Sequence, residues 1–141
     1  MFKRILVPLE HSSTDDTILT YVRQLARESK SSLVFIHVAD GWAARNLKQL
    51  DLKESEEMKE DRAYIQNVCD GFRRDGYDCE ALLAAGDPAK EIAETATREK
   101  CDLIAMATHG HRGLGDVVRG SVASELRHIT MVPVLMVRRG P

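Results

Sequence analysis

Five short apolar runs recur along the chain with helix-length segments between them, and this alternation constrains the fold more than any other feature. The runs are Phe2–Pro8, Leu33–Val38, Cys79–Ala84, Leu103–Ala107 and Val132–Val137. Most are nearly continuous in apolar side chains and short, the pattern of strands buried on both faces. Between them four groups fall on single helical faces: Ile18, Val22, Leu25 and Ala26; Met58, Ile65, Val68 and Phe72; Ala89, Ile92, Ala93 and Ala96; Val122, Leu126 and Ile129. The order β-α-β-α-β-α-β-α-β implies an α/β fold, an open five-stranded parallel sheet with helices on both faces. Right-handed crossovers leave few topologies. A chain of 141 residues is long enough for one core, and no internal repeat is visible, so residues 1–141 read as a single domain.

Local signals mark the ends of these elements. Pro8 closes the first strand because proline cannot donate to a ladder. Ser12 with Asp15, or Ser13 with Asp16, matches a capping box and opens a helix expected to end near Glu28 to Lys30. Asp40 to Leu50 has no strong period and reads as a mobile loop. It holds Trp42, the only tryptophan, read there as a surface contact or as a cover for a bound base. From Asp51 the period is helical, and the mixed-sign run Lys53 to Arg62 reads as a solvated helix face. Glu80 places the third strand near a sheet edge, and Asp87 with Pro88 supplies an N-cap and first helical residue.

The stretch Leu103 to Ser121 carries the chemistry. A buried strand runs into a segment with Gly110, Gly113, Gly115 and Gly120, four of the nine glycines, and a helix is expected from about Ser121 to His128. Glycine lets a ligand approach the main chain closely, and a helix start presents unpaired N–H groups and a positive dipole end. Strand, glycine loop and helix together form an anion site, with phosphate the expected anion. The dinucleotide fingerprint fails at Val118, where its third glycine belongs, and the P-loop pattern Gly115-x4-Gly120-Ser121 lacks its lysine. His109 and His111 lie in the loop, where solvation is the simpler reading than ligation.

Composition excludes several classes. Twenty basic and 22 acidic side chains give a net charge of -2, which argues against an electrostatic nucleic-acid binder. No apolar run approaches the roughly 20 residues that span a bilayer, and the first apolar run is too short for a signal peptide, so a cytoplasmic protein is expected. Cys69, Cys79 and Cys101 have neither disulfide-framework nor zinc spacing and read as reduced, mostly buried thiols; no metal site is expected from protein ligands. His37 reads as a hydrogen-bonded histidine of the core or a strand end.

Along essentially its whole length the chain resembles the universal stress protein family. The features that carry the resemblance are KRILVPLEHS at the start, FIHV, GDPAKEI, DLIAMATHG followed after nine residues by GSVASEL, and PVLMV near the end. Gly110, Gly120 and Ser121 match the last elements of the family's nucleotide signature, while Ala107 stands at its first glycine. The resemblance implies strand order 3-2-1-4-5 and ATP, or AMP or ADP, across the carboxyl ends of the strands. It places Pro8, Leu9 and Glu10 by the ribose, with Glu10 replacing an aspartate, Val38 by the adenine, Ala107 near the ribose, and Gly110, Gly120 and Ser121 on the phosphates. His111, Arg112, Gly113, Arg119 and Val122 are further candidate phosphate contacts. Mg²⁺ would be held mainly through the phosphates.

Two functions follow. One is an ATP-binding regulatory module of the stress response with at most slow hydrolysis, since no general base, nucleophile or P-loop lysine is evident and no catalytic residue is assigned. The other is a dimeric interaction protein with a vestigial pocket. In either case the apolar final strand is the expected edge for a homodimer, as the resemblance also implies.

Overall fold

The computed structural model describes residues 1–39, 56–108 and 114–138, with the backbone alone for 114–121. The strands are β1 (Arg4–Pro8), β2 (Ser32–Ala39), β3 (Cys79–Ala85), β4 (Leu103–Thr108) and β5 (Val134–Arg138). The helices are α1 (Asp15–Ser29), α2 (Glu56–Arg74), α3 (Pro88–Arg98) and α4 (Leu114–Ile129). All pairings are parallel and the order is β3-β2-β1-β4-β5, as expected.

The period of two along each strand divides the core between the two faces of the sheet. Ile5, Val7, Leu33, Phe35 and Ala105 point to the face covered by α1 and α2, where Ile18, Val22, Ile65 and Phe72 meet them. Leu6, Val34, Ile36, Ile104 and Met106 point to the other face, against Ala89, Ile92 and Ala96 of α3 and Ala123 and Leu126 of α4. Each fully buried Val, Leu, Ile or Phe contributes about 1.5–3 kcal/mol, so both faces are needed to hold the sheet.

The turns follow the local chemistry. Lys30 takes a left-handed conformation and closes α1 through its N–H to the Ala26 carbonyl. Asp87 caps α3 by accepting from the Lys90 N–H at 3.1 Å, with Pro88 behind it. Gly86 before it has φ +138°, and a Cβ there would lie 3.0 Å from Glu91 Oε1, so glycine is required. Glu80 lies on an edge strand, as expected.

Four expectations are corrected. Thr14 is the N-cap of α1 without a side-chain capping bond, and of the Ser12–Asp15 capping box the return arm forms, Ser12 N–H to Asp15 Oδ2 at 3.3 Å. The last strand begins at Val134, because Pro133 has no N–H and uses only its carbonyl, accepting from Ile104 N at 2.9 Å. Asp61 is not part of a solvated face but is 7% exposed. Finally, α4 begins at Leu114, seven residues ahead of Ser121. The expected loop at Asp40 to Leu50 lies outside the described residues.

Candidate functional site

The strand order places the topological switch between β1 and β4, whose neighbours lie on opposite sides. At such a switch the following connections diverge to opposite faces and leave a crevice outside the carboxyl ends of the strands. Of the expected site residues, Pro8 ends β1 and Leu9 and Glu10 follow it, Val38 lies near the end of β2, and Ala107 near the end of β4. They therefore share one edge of the sheet. Leu9 is fixed there by its N–H to the Ile36 carbonyl at 2.8 Å. Ala107 is 8% exposed, with its methyl group in the α1/α2 core. Val38 and Val122 are half-buried and pack on the opposite core.

Gly110, His111, Arg112 and Gly113 lie outside the described residues, as does His109. Arg119, Gly120 and Ser121 fall within α4 rather than at its start. At about 1.5 Å per residue, Gly120 lies about 9 Å along the axis from Leu114. Its N–H is then within reach of an i−4 carbonyl, and the unpaired donors belong to residues 114–117.

Beside the crevice stands a polar cluster in which Asp61, unremarked in the sequence, is the central residue. Asp15, 1% exposed, accepts the backbone N–H of Glu10 (2.8 Å), His11 (2.8 Å) and Ser12 (3.3 Å), and the Tyr64 hydroxyl donates to it at 2.7 Å. Burial first, and then this bond to a carboxylate, raise the pKa of the Tyr64 phenol. His11 stacks on Tyr64 with ring centres 4.1 Å apart and holds φ at +62°, a conformation costly for any residue but glycine. The two bonds at Glu10 and His11 hold that conformation in place.

Asp61 receives two histidines. His11 Nδ1 lies 2.7 Å from Oδ1, and His37 Nε2 lies 3.2 Å from Oδ2. The other nitrogen of His37 lies 2.8 Å from the Leu9 carbonyl, so His37 is the strand-end hydrogen-bonded histidine anticipated above. The signal for Asp61 was present in the spacing. Met58, Asp61, Ile65, Cys69 and Phe72 are the buried residues of α2 and fall at helical intervals.

A second cluster is chemically quiet. Cys69 and Cys79 are buried and free, with their sulfurs 3.2 Å apart, and Cys101 is buried and free as well. Burial first, then the neighbouring Cys69, push the Cys79 thiol up to about 12. Among the described residues no group of three or more His, Cys, Asp and Glu is arranged to hold a metal ion. No described helix is long and apolar enough to cross a membrane.

Comparison with known proteins gives a consistent result. The universal stress protein family model matches residues 1–138. Universal stress protein MJ0577 of Methanocaldococcus jannaschii is 26% identical, over 99% of this chain and 96% of its own. The solved structure of MJ0577 superposes with a TM-score of 0.82 at 25% identity, over 100% of this chain and 99% of the other. A universal stress protein from Archaeoglobus fulgidus in complex with dAMP has a TM-score of 0.71 at 17% identity, covering 96% and 97% of the two chains. Another universal stress protein, in complex with cAMP, has a TM-score of 0.69 at 18% identity, covering 96% of each. At those identities the last two show the shared fold alone.

Proposed function

The chain belongs to the universal stress protein family, and from that premise we propose that it is an adenine-nucleotide-binding regulatory module, with ATP its main ligand and little or no catalysis. The observation that supports this reading is the β1/β4 switch, because connections leaving such a switch diverge to opposite faces and open a crevice at the carboxyl ends of the strands. Two fold relatives are complexes with adenine nucleotides, cAMP and dAMP, which favours an adenylate as the ligand class.

In this reading the main chain at Val38 meets the base, and the Pro8–Glu10 turn, with Ala107 opposite, borders the ribose. The phosphates lie against residues 110–122, with the donors of the α4 start as their first partners. Mg²⁺ is carried by the phosphates. For Gly120 and Ser121 to contact phosphate, the first turns of α4 must release their ladder, so binding shortens the helix. A dimer formed through β5, which among the described residues pairs only with β4 and leaves Leu135 38% exposed, transmits the nucleotide state.

The second reading is a dimeric interaction protein with an empty pocket. It is favoured by Ala107, whose side chain is packed in the core where a nucleotide signature has glycine, and by the longer Glu10. Calorimetric titration of nucleotide-free protein with ATP and Mg²⁺, with AMP in parallel, decides between them. The regulatory module requires ATP binding that weakens as phosphates are removed. No heat and no thermal shift at millimolar ATP would leave the dimer as the functional unit.

A further inference from the structure

We propose that Cys69 and Cys79 form a reversible disulfide that locks the end of α2 to the start of β3, made as the chain folds in the presence of a small-molecule disulfide. Their sulfurs are 3.2 Å apart, and both residues are buried and free. A disulfide bond is about 2.05 Å long, so the sulfurs have about 1 Å left to close. The main chain on either side is already held. The Cys79 thiol donates to the Cys69 carbonyl at 3.2 Å, and Arg73 donates to the Cys79 carbonyl through Nε at 3.0 Å and Nη2 at 2.7 Å. Between the two cysteines the turn is closed by the Gly76 N–H to the Arg73 carbonyl and the Tyr77 N–H to the Phe72 carbonyl, each at 3.0 Å.

Three cysteines allow three pairings, and the sheet permits one. Cys69 and Cys79 belong to the core beneath α1 and α2, whereas Cys101 packs on the opposite face with residues of α3 and α4. Cys79 opens β3 and Cys101 precedes β4, with β2 and β1 between those strands. The folded pair is quiet, because the attacking species is the thiolate and burial pushes the Cys79 thiol up to about 12. Exchange therefore begins in the open chain. One cysteine thiolate attacks a sulfur of the reagent, giving a mixed disulfide and releasing the first reagent thiolate. The second cysteine loses its proton to water and attacks the cysteine sulfur of that mixed disulfide, expelling the other reagent thiolate as α2 settles on β3. Two cysteine thiols are oxidised and one reagent disulfide is reduced to two thiols. Once the fold has closed, burial shields the bond from reduction until the chain opens again. The factor by which folding favours the disulfide is also the factor by which the disulfide favours folding, since the two equilibria form one cycle. The lock does not depend on a bound nucleotide.

The test is the thiol–disulfide equilibrium of the wild-type protein with a mixture of reduced and oxidised glutathione. It is measured in native buffer, entered by refolding from urea, and again in urea, with free thiols trapped by alkylation and the pairs located by peptide mass spectrometry. The lock requires a Cys69–Cys79 pair with Cys101 alkylated, and an equilibrium constant at least about tenfold larger in the folded chain than in urea. The oxidised protein should then melt several degrees above the reduced one. Equal constants in the two solvents would mean that nearness in sequence alone joins the cysteines, and would overturn the proposal. A folded product that pairs Cys101, one that keeps glutathione on Cys69 or Cys79, or an oxidised form that melts below the reduced one overturns it as well.

Discussion

The two edges of the sheet are fastened by the same kind of device, a carboxylate collecting backbone N–H groups, but with different side chains beside it. At the amino edge Asp102 accepts from the N–H of Lys3 and of Arg4 at 3.0 Å each. The Arg4 guanidinium reaches the Glu99 carbonyl at 2.8 Å, the Glu99 carboxylate at 2.9 Å and Glu80 at 3.4 Å. At the carboxyl edge Asp15 collects three N–H groups, and Asp61 beside it is partnered by histidines. Arginine keeps its charge at every physiological pH, and histidine does not. The amino edge is therefore held by a permanent cation, and the carboxyl edge by backbone donors and imidazole rings.

The comparison is broken most severely at Asp15. Replacing it with Ala strands three backbone donors and the Tyr64 hydroxyl at a buried position and should cost about 3 kcal/mol, read from urea unfolding. A loss below about 1 kcal/mol would show that water replaces the carboxylate there and that the turn is not held by it. Arg4→Met should cost about 1–2 kcal/mol, since Glu99 loses its partner while only 24% exposed. That loss should be nearly the same at pH values on either side of neutrality.

Asp102 sharpens the contrast in acid. Partial burial works to raise its pKa, but the backbone N–H groups of Lys3 and Arg4 hold it below its ordinary value of 3.8. A depressed carboxylate contributes stability that is present above the ordinary value and is lost as pH falls through the folded one. Asp102→Asn should thus cost about 1 kcal/mol or less near neutrality, because the carboxylate is solvent-screened, and should converge with wild type in acid. Parallel melting curves at all pH values would contradict this assignment. The smallest effect belongs to the thiols near the amino edge. Cys79 at about 12 and Cys101 pushed by burial up to about 11 should not react with Ellman's reagent at neutral pH until the chain unfolds.

The fold was legible because apolar runs and helical stripes alternate without ambiguity from Phe2 to Val137. The strand order came from the family resemblance, and the parallel pairing agrees with it. The start of α4 was misread because Gly115 and Gly120 were taken as loop residues. A glycine costs a helix only about 1 kcal/mol relative to alanine, and burial of Ala123 and Leu126 outweighs it. Asp61 was hidden for the opposite reason. Its charged neighbours Glu57, Lys59, Glu60 and Arg62 suggested a wet surface, although its phase placed it on the buried stripe with Met58 and Ile65. Its histidine partners come from distant strand ends, so no local pattern joins them. The crevice itself was inferred from Gly110 and its neighbours, and the described geometry of that region begins only at Leu114.

The most direct test of the central claim is to follow backbone amide NMR shifts as ATP and Mg²⁺ are added to nucleotide-free protein. The account predicts shifts at Leu9 to Ser12, at Val38 and Ala39, and from Thr108 through Val122, with Lys3, Arg4 and Asp102 unmoved. Shifts confined to the amino edge, or to the α1/α2 groove lined by Arg23, Arg27 and Phe72, would contradict it.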